Sequence, residues 1–190
     1  MRLFVAVELP DEMRRAVRAA SDELRERLGS RIKARWLPTE NLHITVRFIG
    51  NVPDERSEAI VHGAGAPLDL DPFQISLGGC GAFPPSGAPR VIWMAVADGA
   101  APLAAIHREM NRRLEPFGFE PERRAYSAHL TLARVKDVAR GSTAAVRKAI
   151  IDSRCVSPGC RVSHATIFRS VLSPAGARYE PLARVSFLYP

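Results

Sequence analysis

The sequence predicts an α+β fold: two similar lobes of antiparallel sheet with outer helices, and an active-site cleft between the lobes. Two observations predict it. Helical and extended segments follow one another in the order strand, helix, strand, helix, two strands, helix, strand, helix, two strands. A short phrase of histidine, aliphatic, threonine, aliphatic occurs at His43-Ile44-Thr45-Val46 and again at His129-Leu130-Thr131-Leu132, about half the 190-residue chain apart. Each half of the chain therefore carries one copy, as an internal repeat would. Residues 1–190 are expected to form a single two-lobed domain.

The elements follow from local pattern. Leu3 to Leu9 is an apolar strand ended by Pro10, and Asp11 to about Leu28 is a helix with Met13, Val17, Ala20 and Leu24 at helical spacing. Gly29 is its C-terminal stop. Trp36-Leu37-Pro38 leads into a strand from Leu42 to Ile49, which Gly50-Asn51 ends. Pro53 to about Gly63 reads as a second helix, opened by Pro-Asp-Glu. Phe73, Ile75 and Leu77 alternate as a strand, which breaks into loops at Gly78-Gly79-Cys80-Gly81 and Pro84-Pro85-Ser86-Gly87. Arg90 to Val96 is its strand partner. Pro102 to Phe117 is helical, with Leu103, Ile106, Met110 and Leu114 on one stripe. A strand from Ser127 to Val135, a helix from Ser142 to Ile151 and strands at Arg161–Ser170 and Ala177–Leu188 complete the chain.

Composition narrows the partners. With 46% apolar residues and no apolar run near the ~18–20 residues of a membrane span, the chain reads as a soluble cytoplasmic protein with no membrane partner, expected to act as a monomer. Cys80, Cys155 and Cys160 read as reduced thiols, because the C-x4-C spacing of the last two has no second thiol pair to complete a zinc site. No cofactor and no metal are expected. The net charge of +7 favours an anionic partner. Between Asp152 and Glu180 there is no acidic residue, yet Arg154, Arg161, His164, Arg169 and Arg178 fall there; Arg31, Lys33 and Arg35 form a second basic knot.

The His-x-Thr phrase carries the chemistry. On a strand, residues i and i+2 share a face, so His43 and Thr45, or His129 and Thr131, point one way while Ile44, Val46, Leu130 and Leu132 point into a core. Two such strands side by side bring together two imidazoles, a general acid and a general base near pH 7, and two hydroxyls suited to an oxyanion such as phosphate. The spacing alone does not choose the pair, because His164-Ala165-Thr166 is a third copy. His62 and His107 fall in helices without a threonine partner and read as surface residues. Arg134, at the end of the second strand, reads either as a clamp for substrate phosphates or as a solvated strand end. Trp36, Phe83 and Trp93 could stack a base or belong to the core.

The flanks select. Arg2-Leu3-Phe4-Val5-Ala6-Val7-Glu8-Leu9-Pro10, Trp36 to Val46 with Phe48-Ile49-Gly50, Ala128 to Arg134, and Ser170 with Gly176 to Leu182 follow one another in an order that resembles the bacterial RNA 2′,3′-cyclic phosphodiesterases of the two-histidine phosphoesterase superfamily, historically called 2′-5′ RNA ligases. The resemblance implies that His43 is the proton donor, His129 the proton acceptor, and Thr45 and Thr131 the substrate-binding hydroxyls, with His164 outside the site. It implies metal-independent opening of a cyclic phosphate to a 2′-phosphate, with RNA ends or nucleoside 2′,3′-cyclic phosphates as partners and reverse 2′-5′ ligation as a possible second direction. Alternatives are a phosphodiesterase for 2′-5′-linked oligonucleotides or other small cyclic phosphates, and a non-catalytic RNA-binding module. Two positions depart from the family pattern: Ala128 stands where proline is usual, and Arg47 where a small or apolar residue is commoner, which predicts an extra cation near the end of the first strand. The role of Tyr179 is left open.

Overall fold

A computed structural model describes residues 1–122, 124–173 and 176–188. The chain opens with β1 (Arg2–Glu8), an apolar strand buried on both faces, and then α1 (Asp11–Leu28). Asp11 and Glu12 in the first turn and Arg25 and Arg27 in the last complement the helix dipole. Gly29, at φ +52°, ends the helix in a conformation that side chains disfavour. Next come β2 (Ile32–Trp36), β3 (His43–Asn51), α2 (Asp54–Ala64), β4 (Phe73–Phe83), β5 (Val91–Asp98) and α3 (Ala100–Leu114). The second half continues with β6 (His129–Val138), α4 (Thr143–Ile151), β7 (Cys160–Val162), β8 (His164–Ser173) and β9 (Gly176–Ser186).

The strands form one curled sheet in the order β7-β4-β5-β6-β3-β1-β8-β9, with β2 on the edge of β6. The two lobes are its two halves, and they meet where Ile44 of β3 pairs with Leu130 of β6. An approximate two-fold relation runs through that pair: β1 lies against β3 as β5 lies against β6. One face of the sheet carries the core, including Leu3, Val5, Val7, Ile44, Val46, Ile92, Met94, Leu130 and Leu132, all 1% exposed or less. The helices cover that face. The opposite face is concave and holds a small second cluster of Phe4, Ala6 and Phe168. No helix among the described residues is long and apolar enough to cross a membrane.

Several expectations need correction. β2 was not expected: the segment reads as a basic knot, yet it alternates Ile32, Ala34 and Trp36 against Lys33 and Arg35 and pairs with the C-terminal half of β6. The run Gly78-Gly79-Cys80-Gly81 is not a loop but part of β4, where a register shift between Leu77 and Cys80 absorbs the extra residues. Arg161–Ser170 divides into β7 and β8 at Ser163. Cys80, Cys155 and Cys160, by contrast, are free thiols as expected.

His107 is not a surface residue. It is 6% exposed and completes the α3 stripe of Leu103, Ile106, Met110 and Leu114 at the i+4 position from Leu103. Its Nδ1–H donates to the Val46 carbonyl at 2.7 Å, Nε2 lies 3.1 Å from the Asn111 amide nitrogen, and the ring stacks on Tyr126 at 4.6 Å. Tyr126 in turn donates its hydroxyl proton to the Thr45 carbonyl at 3.0 Å. Past Ile44 the two central strands diverge, and these side chains take up carbonyls along the freed edge of β3. His107→Ala is expected to cost about 2–3 kcal/mol, since it strands a buried carbonyl and opens a cavity. Urea denaturation should show a lower midpoint at unchanged slope.

Arg47 also departs from expectation. It adds no cation to the cleft: it is 6% exposed and forms an ion pair with Glu122 at 2.9 Å. Its guanidinium also donates to the carbonyls of Phe48, at 2.9 Å, and Glu120, at 2.6 Å. Arg47 thus fastens onto β3 the segment that leads into the second His-x-Thr strand.

Candidate active site

The two motifs occupy the concave face where the lobes meet. His43 and Thr45 project from β3, His129 and Thr131 from β6, and all four are partly buried. Because β3 and β6 run antiparallel about Ile44 and Leu130, His43 lies toward Thr131 and Thr45 toward His129. The register thus sets each histidine on the side of the other motif's threonine, and His43 also contacts its own.

Both imidazoles are oriented by the same local device. His43 Nδ1 is 2.8 Å from the carbonyl of Asn41, and His129 Nδ1 is 2.7 Å from that of Ser127, in each case two residues earlier. A carbonyl can only accept, so Nδ1 carries the proton and Nε2 becomes the working nitrogen. His43 Nε2 meets the Thr45 hydroxyl at 3.0 Å, which in the neutral ring donates to it. Asn41 is itself fixed by donating its side-chain amide to the Ala177 carbonyl of β9 at 2.8 Å. Burial lowers the His43 pKa from 6.5 to about 4, partly opposed by the Asn41 hydrogen bond and reinforced by the charges of Arg134 and His129.

Two register shifts decide what joins these residues. The β1–β3 pairing slips between Val5 and Ala6, and the β5–β6 pairing slips between Ile92 and Trp93. Val46 and Arg47 are consequently both buried, as are Leu132 and Ala133. Strict alternation would turn Arg134 into the core; the slip returns it to the exposed side, where its charge acts on His43. Phe48 is its counterpart in the other lobe and is 49% exposed.

Aromatic rings wall both histidines. Phe4 and Tyr179 lie 5.0 and 5.1 Å from the His43 ring, Tyr179 edge-on. Phe83 and Trp93 lie 5.2 and 6.1 Å from His129. Phe4 is absent from the sequence-based candidates because its strand reads as uniformly apolar, with nothing to tell the core face from the cleft face. Gly81 makes room for Trp93: a methyl group there would overlap the indole. Gly81→Ala is expected to displace Trp93 and cost about 1–3 kcal/mol by overpacking, and the accompanying change should appear in near-UV circular dichroism and in activity.

His164 stands elsewhere. β1 separates its strand from β3, and its neighbours are Glu8, at 4.0 Å, and Thr166, which donates to the same Glu8 carboxylate at 2.8 Å. Trp36 packs partly against the core.

A curled antiparallel sheet with two related His-x-Thr strands at its centre and helices on its outer face defines a two-histidine α+β protein. The family model of the 2′-5′ RNA ligase superfamily matches residues 9–171, and the chain belongs to that superfamily. An RNA 2′,3′-cyclic phosphodiesterase of Archaeoglobus fulgidus is 35% identical over 182 residues, covering 96% of this chain and 98% of the relative. One from Aeropyrum pernix is 39% identical over 150 residues, covering 77% and 82%. Among solved structures, a Thermus thermophilus protein superposes with a TM-score of 0.81 at 28% identity over 100% of this chain and 99% of its own. Escherichia coli LigT complexed with 3′-AMP shares the fold, with a TM-score of 0.76 at 24% identity over 98% of both chains.

Proposed function

We propose that this chain hydrolyses the 2′,3′-cyclic phosphate ends of RNA or nucleotides to 2′-phosphates, with residues 1–190 acting as one two-lobed phosphoesterase domain. The observation that carries the reading is the matched pair of imidazoles on adjacent strands, each with Nδ1 committed to a carbonyl and Nε2 available for proton transfer. The curated relatives support the substrate class, and so does the net charge of +7. We propose further that it works in the cytoplasm as a monomer.

In the proposed reaction, neutral His129 takes a proton from water as the water oxygen attacks phosphorus. The bond to the 3′ oxygen breaks, and His43, protonated, delivers its Nε2 proton to that oxygen. Thr45 and Thr131 donate to the non-bridging oxygens as charge builds on them, and Arg134 supplies positive charge beside them. Both protons are handled by histidine, so the chemistry calls for no metal.

The low pKa of His43 fits a donor once substrate charge is included. In the free protein at pH 7 the ring is neutral, since burial has drawn it to about 4. One phosphate charge ~4 Å away at an effective dielectric of ~20 is worth about 4 kcal/mol, or roughly three pKa units. That is enough to bring His43 near neutrality and load it with a proton as the anion binds. The Thr45 hydroxyl, released from Nε2, then turns its proton to the phosphate.

The test is hydrolysis of a 2′,3′-cyclic nucleotide in EDTA, with the product identified by phosphorus NMR. A 2′-phosphate is expected. A 3′-phosphate, a requirement for added metal, or turnover confined to 2′-5′-linked oligonucleotides would overturn the reading.

A further inference from the structure

Cys80 and Cys155 are distant in sequence and take no part in the reaction above, yet the fold sets them together. The segment around Cys155 runs antiparallel to β4: Gly78 bridges Val156, and the Gly79 N–H donates to the Cys155 carbonyl at 2.8 Å. Cys155 therefore stands opposite Gly79, one residue from Cys80. That register puts the two cysteine Cα atoms about 6 Å apart, within the span a disulfide bridges. In a regular strand Cys80 would still face away from Cys155. β4 is not regular here. Its pairing with β5 passes from Leu77–Val96 to Cys80–Met94, so Gly78 and Gly79 together stand opposite Ala95. Gly79, at φ +71°, supports this bulge, and the Cys80 thiol comes round to meet that of Cys155. The hydrogen bond between them lowers the pKa of Cys155 to about 6 and raises that of Cys80, while burial works upward on both. The pair thus gives up its first proton near pH 7 and supplies a thiolate. Cys155 is 5% exposed and Cys80 is half-buried, so solvent reaches the pair through Cys80. Cys160 differs: its sulfur rests 3.9 Å from that of Met13, and burial raises its pKa.

We propose that Cys80 and Cys155 form an oxidative modification site, a preformed dithiol that hydrogen peroxide converts to a disulfide and thiol reductants restore. The pair shares one readily lost proton, so the thiolate can reside on the accessible Cys80. Its sulfur attacks a peroxide oxygen: the S–O bond forms as the O–O bond breaks, and the departing hydroxide takes up a proton and leaves as water. The Cys155 sulfur then attacks the Cys80 sulfenic acid. The S–S bond forms, the S–O bond breaks, and the hydroxide leaves as a second water with the Cys155 proton. Each sulfur gives up one electron, and each peroxide oxygen gains one. The bond would anchor the strand that carries one wall of the cleft, since β4 runs on from Cys80 to Gly81, against the Trp93 indole, and to Phe83, beside His129.

The experiment treats the folded, fully reduced protein with hydrogen peroxide, blocks remaining thiols with an alkylating agent, and reads intact mass and linked peptides. Titratable thiols should fall from three to one, with a mass loss of about 2 Da for the two hydrogens removed. The linked peptides should join Cys80 to Cys155, leaving Cys160 alkylated, and dithiothreitol should restore all three thiols. Cys160→Ser should behave as the wild type. Cys80→Ser and Cys155→Ser should form no internal bond, and the cysteine left without its partner should instead gain about 32 Da as sulfinic acid. Because the bond closes a long loop in the unfolded chain, oxidation should raise the wild-type Tm by about 5–10 °C and leave that of Cys80→Ser unchanged. Linkage through Cys160, covalent dimers in place of the internal bond, or separate over-oxidation of Cys80 and Cys155 in the wild type would overturn the assignment. So would a fall in Tm on oxidation, which would mean that the thiols are not set for the bond. None of these readouts depends on turnover, so the site stands or falls independently of the phosphodiesterase reading.

Discussion

Replacing either His43 or His129 with alanine is expected to lower kcat on a 2′,3′-cyclic nucleotide by about 10²–10⁴-fold, whereas His164→Ala stays within about threefold, the range for a residue outside the reacting pair. The geometry gives each variant its reason. His43 and His129 stand on neighbouring strands joined at Ile44 and Leu130, with Nε2 freed for chemistry by the carbonyls of Asn41 and Ser127. His164 is two strands from His43 and is engaged with Glu8. The two effects should not add. Once one proton transfer is lost, the other histidine has little left to accelerate, so the double variant should fall only slightly below the poorer single variant. Thr45→Val and Thr131→Val should each cost up to about 10²–10³-fold, the scale for one donor to a developing oxyanion. Initial rates on the four histidine variants, measured at saturating substrate, check the set. Wild-type turnover in His43→Ala, or collapse in His164→Ala, would overturn the pairing.

What the sequence made legible was the part governed by local periodicity. The faces of β3 and β6 follow from alternation at His43-Ile44-Thr45 and His129-Leu130-Thr131, and α1 is legible from its stripe and its Gly29 stop. What it hid depends on register. The placement of Arg134 on the cleft side arises from a slip opposite Ile92 and Trp93 on another strand, which no pattern within β6 announces. Arg47 reads as a surface cation until the chain around Glu120 and Glu122, more than seventy residues later, folds against it. His107 was within reach, since its spacing from Leu103 puts it on the buried stripe; residue type outweighed position. The difference between the cleft walls was not. Only the fold sets Gly81 beneath Trp93 beside one histidine, and places Phe4 and Tyr179 beside the other.

The depressed pKa of His43 predicts a second large effect, on stability rather than rate. Its pKa is about 4 in the fold against 6.5 in the unfolded chain, chiefly because burial penalises the charged ring. Between those values the unfolded state binds more protons, so the contribution of this group to stability rises with pH. It is fully present above about pH 7 and is lost as pH falls from 6.5 toward 4, where protonation of the unfolded chain is worth about 3 kcal/mol, at 1.36 kcal/mol per unit. Other groups also respond to acid, among them Glu109, whose partners Arg112 and Arg113 hold its pKa near 2. The informative quantity is therefore the difference between wild type and His43→Gln, a variant with no proton to gain. Urea denaturation at pH 7 and pH 4 should show that difference moving by about 3 kcal/mol in favour of the variant at low pH. Inorganic phosphate should reverse the trend in the wild type: an anion in the cleft raises the His43 pKa, so binding takes up a proton and tightens as pH falls from 7 to 5.5. Calorimetry in two buffers of different ionisation enthalpy reads that uptake directly. If no proton is taken up, or if His43→Gln takes up as much as the wild type, His43 is not the group that the substrate charges.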